Sequence, residues 1–210
     1  MNKIKIFSLI VVFTALFTGC EEPIDGTDTT NGGENSGTVV GGGGTEIDST
    51  KFKCLKTLEG HSYGVLSVAY SPVGTRIISG SYDNTIKIWN ANTGECLKTL
   101  EGHSRSVYSV AYSPDGTKII SGSYDRTIKI WDANTGECLQ TLEGHKDVVN
   151  SVAYSPDGTK IISGSYDGTI KIWNTNTGEC LETLEGHSSY VESVAYSPDG
   201  TKIISGSYDR

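Results

Sequence analysis

Four sets of side chains in this sequence have the types and spacing to do chemistry. His61, Ser79 and Asp83 recur as His103, Ser121 and Asp125, as His145, Ser163 and Asp167, and as His187, Ser205 and Asp209. Serine, imidazole and carboxylate are the parts of a nucleophilic hydrolase, in which the imidazole takes the hydroxyl proton and the carboxylate orients the ring. The four histidines also invite a metal-site reading, and Cys54, Cys96, Cys138 and Cys180, at one phase of the same interval, invite a disulfide reading. The repetition weighs against catalysis, because an active site is needed once and not in every copy.

The elements that carry these residues are themselves copies. Glu-Gly-His stands at residues 59–61, 101–103, 143–145 and 185–187, a spacing of 42 residues each time. Within each unit come Ser-Val-Ala-Tyr-Ser-Pro, Ile-Ile-Ser-Gly-Ser-Tyr-Asp, Thr-Ile-Lys-Ile-Trp and Asn-Thr-Gly-Glu-Cys-Leu, almost unchanged. These are short β-rich runs between turn signals. Val68 and Tyr70 alternate with Ala69, which puts them on opposite faces of a strand. Ser113-Pro114-Asp115-Gly116 and Asn134-Thr135-Gly136-Glu137 have the residues of tight turns. Each unit is therefore expected to be a four-stranded antiparallel meander, and the chain all-β. One such meander cannot cover its own apolar faces and must stack on its neighbours.

A period of 40–45 residues with Gly-His early and Trp-Asp late resembles the WD40 repeat. The late pair is Trp131-Asp132 once, and Trp-Asn at Trp89-Asn90 and Trp173-Asn174. The resemblance spans residues 51–210 and implies propeller blades near 60–101, 102–143 and 144–185, a partial fourth at 186–210, and an opening outer strand from Phe52 to Leu58. Three complete blades and a partial one fall short of the four to eight of a closed propeller. The array is then either incomplete, as in a fragment of a longer protein, or completed between chains, for instance in a homodimer.

The resemblance also reassigns the chemical residues. In WD40 blades the histidine, serine and aspartate join the third-strand tryptophan in a buried hydrogen-bonded tetrad, which here adds Trp89, Trp131 and Trp173 and leaves the fourth set without one. Equivalent positions in successive blades fan around an axis, too far apart to share a metal ion or form a disulfide. No cofactor is implied, and the four cysteines are expected to be small packing residues of the outer strands.

The positions where the copies differ are the candidate binding residues. They gather after Gly-His, including Tyr63, Arg105, Lys146, Asp147 and Tyr190, and at Leu66, Tyr108, Asn150 and Glu192. Arg126 varies after the turn aspartate, beside the constant Tyr82, Tyr124, Tyr166 and Tyr208. In the WD40 arrangement these lie on the loop face around the central channel, and aromatic and arginine side chains there are the types that anchor protein contacts.

The N-terminal quarter is different in kind. Lys3 and Lys5 precede an apolar run from Ile6 to Thr18, too short to span a bilayer as a helix and suited to a signal peptide. Leu16-Phe17-Thr18-Gly19-Cys20 resembles the lipobox of bacterial lipoproteins, with residues 1–19 removed and Cys20 lipidated. Residues 21–50 carry seven acidic side chains and no basic one, together with Gly41–Gly44, and read as a flexible tether of roughly 30 Å mean reach. The chain's net charge is −8, with no basic stripe of the kind nucleic acids require. Taken together, these features predict a lipid-anchored, extracytoplasmic protein of the bacterial cell envelope. It would bind protein or peptide on its loop face, touch the membrane through its lipid, bind no nucleic acid and catalyse nothing. The competing expectations are a regulatory or targeting fragment of a longer protein, and an enzyme using one His/Ser/Asp set.

Overall fold

The computed structural model describes residues 3–7 and 54–209. Cys20, the signal-type residues after Phe7 and the tether lie outside the described residues up to position 53. Sixteen strands and no helix are found among the described residues. Strand β1 is Lys3–Phe7 and β2 is Cys54–Glu59. The first blade holds β3 (Val65–Tyr70), β4 (Arg76–Ser81), β5 (Ile86–Asn90) and β6 (Cys96–Leu100). The second holds β7 (Val107–Tyr112), β8 (Lys118–Ser123), β9 (Ile128–Asp132) and β10 (Cys138–Leu142). The third holds β11 (Val149–Tyr154), β12 (Lys160–Ser165), β13 (Ile170–Asn174) and β14 (Cys180–Leu184). The last two strands are β15 (Val191–Tyr196) and β16 (Ile203–Ser207). Each blade is an antiparallel meander with its strands in chain order, so the architecture is three four-stranded blades and a two-stranded start of a fourth. That is the all-β, incompletely closed propeller expected from the repeats.

Local sequence accounts for the meander. Gly74, Gly116, Gly158 and Gly200 have φ near +72° and close the tight turns after the Ser-Pro pairs, where an L side chain would be strained. In the second blade the Gly116 amide donates to the Ser113 carbonyl (2.9 Å), and the Asp115 carboxylate accepts from Ser113 Oγ (2.6 Å) and the Thr117 amide (3.0 Å). The β-branched isoleucines of the second and third strands then fill the space between sheets.

The core lies between blades. Ile78, Ile86, Ile88 and Leu100 of the first blade pack with Val107, Val110, Ile119 and Trp131 of the second, and the same layers recur at the next two junctions. Each junction also repeats the same hydrogen bond between innermost strands. The amides of Val110, Val152 and Val194 donate to Ser67, Ser109 and Ser151 Oγ at 3.1–3.2 Å. At the two ends of the array these layers are open. Val68 is 53% exposed where Val110 is 5%, and Ile204 is 69% exposed where Ile120 and Ile162 are fully buried.

Strand β1 pairs with β2 in a two-stranded sheet, although the sequence assigns Lys3–Phe7 to a cleaved address with no structure of its own. The alternation Lys3-Ile4-Lys5-Ile6 gives a strand one apolar face, and Ile4 is buried. A second correction concerns the cysteines. Cys54, Cys96, Cys138 and Cys180 are free and exposed and fill no core space. Each thiol sits 3.5–3.6 Å from the carbonyl oxygen two residues on, along the outer edge of its blade.

Candidate functional site

The His/Ser/Asp sets form where three strands of one blade meet its loops. In the first blade His61 precedes β3, Ser79 is in the middle of β4, Asp83 is in the β4–β5 turn and Trp89 is on β5. Asp83 Oδ2 is 2.8 Å from His61 Nδ1, His61 Nε2 is 2.7 Å from Ser79 Oγ, and the Trp89 indole N–H donates to Ser79 Oγ at 2.8 Å. A carboxylate only accepts, so His61 Nδ1 carries the proton, Nε2 accepts from the Ser79 hydroxyl, and Ser79 in turn accepts from the indole. His103, Ser121, Asp125 and Trp131 repeat this geometry, as do His145, Ser163, Asp167 and Trp173. His187, Ser205 and Asp209 are joined in the same way at 2.7–2.8 Å, but the set is part-exposed at the open end.

Electrostatics fixes the protonation of the first network. Burial pushes the His61 imidazole below its usual range, against the opposing pull of Asp83, and keeps it neutral near pH 7. Burial would raise the Asp83 carboxyl, but hydrogen bonds from Thr85, His61 and the amides of Thr85 and Ser62 outweigh it and hold the group at about 2. Asp125 and Asp167 are held down in the same way. Ser79, Ser121 and Ser163 are completely buried. The serine is therefore the middle of a closed relay, with its proton directed at histidine and its oxygen occupied by tryptophan. Among the described residues, no group of three or more His, Cys, Asp or Glu side chains is placed to hold a metal ion.

The variable positions sit at the same end of the blades. Each innermost strand has a β-bulge after its first residue, and the extra residues are Leu66, Tyr108, Asn150 and Glu192. A bulge re-aims one side chain without breaking the sheet, and sequence inspection gave no sign of it. The innermost strands β3, β7, β11 and β15 are neighbours in that order, so these four half-buried side chains are brought side by side. The Asn150 amide donates to Glu192 Oε2 (2.6 Å) and to the Glu192 carbonyl (3.0 Å). Tyr108 stands between Tyr82 and Tyr124, 6.1 Å from each ring centroid, and Arg105 lies over the Tyr124 ring at 5.3 Å. Burial raises the Tyr108 and Tyr166 phenols, and the negative charge of Glu192 adds to both shifts.

Farther round the face Tyr166 stacks on Tyr190 at 4.6 Å. Tyr63, Tyr82, Tyr124, Tyr190 and Tyr208 are all exposed by 44% or more. Lys146, Asp147, Arg105 and Arg126 are exposed on the loops. The structure thus joins Tyr82, Tyr108, Tyr124 and Arg105 into one cluster, and Tyr166, Tyr190, Asn150 and Glu192 into two adjacent pairs.

At the opposite end of the blades the Ser-Pro turns border a shallow recess of about 540 Å³, lined by repeated Ala, Tyr and Pro side chains including Tyr112, Tyr154, Pro114 and Pro156. The phenol oxygens of Tyr112, Tyr154 and Tyr196 are buried there without a hydrogen-bond partner, and burial pushes Tyr112 up to about 12. Because these residues do not vary between copies, nothing in the sequence singles them out.

A family model for the WDR3 first beta-propeller domain matches residues 47–210. The chain belongs to the WD40-repeat β-propeller family. Among individual WD40-type relatives, it is 42% identical over 59 residues to protein HIRA of Zea mays, covering 28% of this chain and 6% of the relative. It is 59% identical over 41 residues to the vegetative incompatibility protein HET-E-1 of Podospora anserina, covering 20% and 3%. Protein Mut11 of Chlamydomonas reinhardtii is 40% identical over 50 residues, covering 24% and 14%. The chain therefore matches only a small share of each relative's length, about one WD40 unit.

Proposed function

We propose that this WD40 chain is a non-enzymatic scaffold that binds a protein or peptide segment on its loop face. The observation that carries the reading is the set of bulges at Leu66, Tyr108, Asn150 and Glu192, which gathers the copy-specific side chains beside the Tyr82–Tyr108–Tyr124 cluster. Aromatic rings with few rotatable bonds lose little entropy when a partner covers them, and Tyr and Arg are enriched among residues that dominate binding energy. The enclosed serines support the non-enzymatic part, since a nucleophile must reach a substrate. Selection from a random dodecapeptide display library on the full chain should enrich binders that protect loop amides at 61–65, 103–108 and 145–150 from hydrogen exchange. Protection confined to the outer strands would contradict the reading.

The sequence features of residues 1–20 support a lipid anchor at Cys20 and display outside the cytoplasm of a bacterial cell. Cleavage before Cys20 would remove β1 and free the edge of β2. Labelled palmitate should be incorporated by the wild-type chain in a bacterial host and not by Cys20→Ser.

The exposed Val68 and Ile204 favour a second reading, in which the array acts as part of a longer propeller or a homodimer. The two open layers are the two halves of the junction already repeated inside the chain. A discrete dimer mass in solution supports completion between copies, whereas aggregation supports a longer parent protein.

A further inference from the structure

Resting on the loop-face reading above, we infer that the recess between the second and third blades is a site for an anionic side chain of the bound peptide, a carboxylate or a phosphate ester. Arg105, Arg126 and Lys146 line this recess of about 440 Å³ together with Tyr124. Among the described residues none of these three cations has a carboxylate within ion-pair distance; the pairs found are the His–Asp contacts of the tetrads. Two acids share the wall, and both have other work. Asp125 accepts from His103 and the Ser104 amide on one oxygen, and from the Thr127 amide and hydroxyl on the other. Asp147 accepts from the Val148 amide. With three cations against two carboxylates, the recess carries one net positive charge in a chain whose net charge is −8.

Two features show that the cations are held for use and not merely solvated. The Arg105 guanidinium rests over the Tyr124 ring, which restricts it before any ligand arrives. Arg126 has φ +72°, the left-handed region that suits glycine; the equivalent residues are Asn84 at φ +69° in the first blade and Gly168 at φ +79° in the third. A long cationic side chain held in that region, where the flanking blades place Asn84 and Gly168, points to a residue retained for its own chemistry. Guanidinium groups offer forked donors that match carboxylate and phosphate oxygens. No other junction gathers the same set, since the equivalents of Arg105, Arg126 and Lys146 are Tyr63, Asn84 and Ser104 at the first junction and Asp147, Gly168 and Ser188 at the third. Because Tyr124 belongs both to this recess and to the Tyr82–Tyr108–Tyr124 cluster, the preferred partner carries an acidic group a few residues from an apolar or aromatic one.

The test uses the full chain and fluorescein-labelled octapeptides of Gly and Ser carrying one Tyr and, two residues away, Glu-Glu, phosphoserine, Ser or Lys-Lys. Fluorescence anisotropy should show the acidic peptides binding at least ~10-fold more tightly than the Ser peptide, as charge-assisted hydrogen bonds imply, with the advantage shrinking as salt rises. Arg126→Gly should abolish that preference without lowering the urea unfolding midpoint, because glycine suits the backbone there. A phosphoserine peptide that outcompetes Glu-Glu and is displaced by inorganic phosphate assigns the site to phosphate esters; equal binding of the two assigns it to acidic groups in general. Equal binding of Ser and acidic peptides, lost on Tyr82→Ala, would overturn the anionic site while leaving the loop-face reading standing. A full chain that binds none of the four, or an Arg126→Gly protein that unfolds earlier, overturns it as well.

Discussion

Gly122 on β8 and Val149 on β11 meet so closely that a Cβ built on the glycine would lie 2.7 Å from the valine Cγ1. Gly80 and Gly164 make the same approach to Val107 and Val191, at 2.8 and 2.6 Å, whereas a Cβ on Gly206 would meet nothing within 4 Å. The glycine is thus the socket through which one blade receives the next. Gly122→Ala should destabilise the protein by roughly 1–3 kcal/mol, the usual cost of overpacking a close-fitted core. Gly206→Ala should change little in a monomer and should weaken any dimer that seats Val65 and Val68 of a second copy on that face. Urea denaturation of both variants, with the solution mass measured alongside, gives the comparison.

The tetrads predict a matched pair of serine substitutions. Ser121→Ala leaves the Trp131 indole N–H and His103 Nε2 buried and unpartnered, and at about 1–3 kcal/mol for each orphaned group the loss should be roughly 2–6 kcal/mol. Ser205 is exposed at the open end, so water replaces its hydroxyl and Ser205→Ala should cost no more than about 0.5 kcal/mol. Equal losses would mean that the open end is covered in solution. A fluorophosphonate probe should label neither serine in the folded chain.

Acid should unfold the blades in a defined window. The Asp83 carboxyl lies at about 2 in the folded chain against an ordinary value of 3.8. The unfolded chain therefore binds the proton first as pH falls. The stabilisation is complete above about pH 4 and is lost as pH drops towards 2. His61, pushed down by burial from 6.5, acts in the same direction from a higher pH, since a neutral buried imidazole resists the proton that the unfolded ring accepts. The urea midpoint should decline gently below pH 6.5 and steeply below 4. Asp83→Asn should start from a lower midpoint and show a shallower acid decline. A wild-type midpoint unchanged between pH 6 and 3 would refute this assignment of protons.

The fold was legible because its information is local and repeated. Pro114 with Gly116, and Asn134 with Gly136, mark turns by their own backbone preferences, and the alternation in Val68-Ala69-Tyr70 marks a strand. The tetrad could be named residue by residue because the resemblance to WD40 repeats implies it and its members keep fixed positions in every 42-residue copy. What sequence did not disclose are relationships between copies and departures from regular pairing. The bond from the Val110 amide to Ser67 joins residues 43 apart on different blades, and the bulges at Tyr108 and Asn150 depend on pairing partners that a linear pattern does not specify. The outer-strand cysteines were misread because a small, weakly polar residue in a β-rich run looks the same whether its face is covered or bare. Strand β1 was missed because Lys3 and Lys5 serve equally as the basic start of a signal and as the polar face of a strand.

The central claim is that the loop face, and no other surface, is where this chain binds its partner. It is tested most directly by the affinity of one library-selected peptide for the wild type, for Tyr108→Ala on the face and for Leu97→Ala on the exposed outer strand, measured by titration calorimetry. The account predicts that Tyr108→Ala weakens binding by about 2 kcal/mol, or ~30-fold, in line with an anchoring aromatic, while Leu97→Ala leaves it unchanged. Loss of binding on Leu97→Ala with Tyr108→Ala unaffected would contradict it.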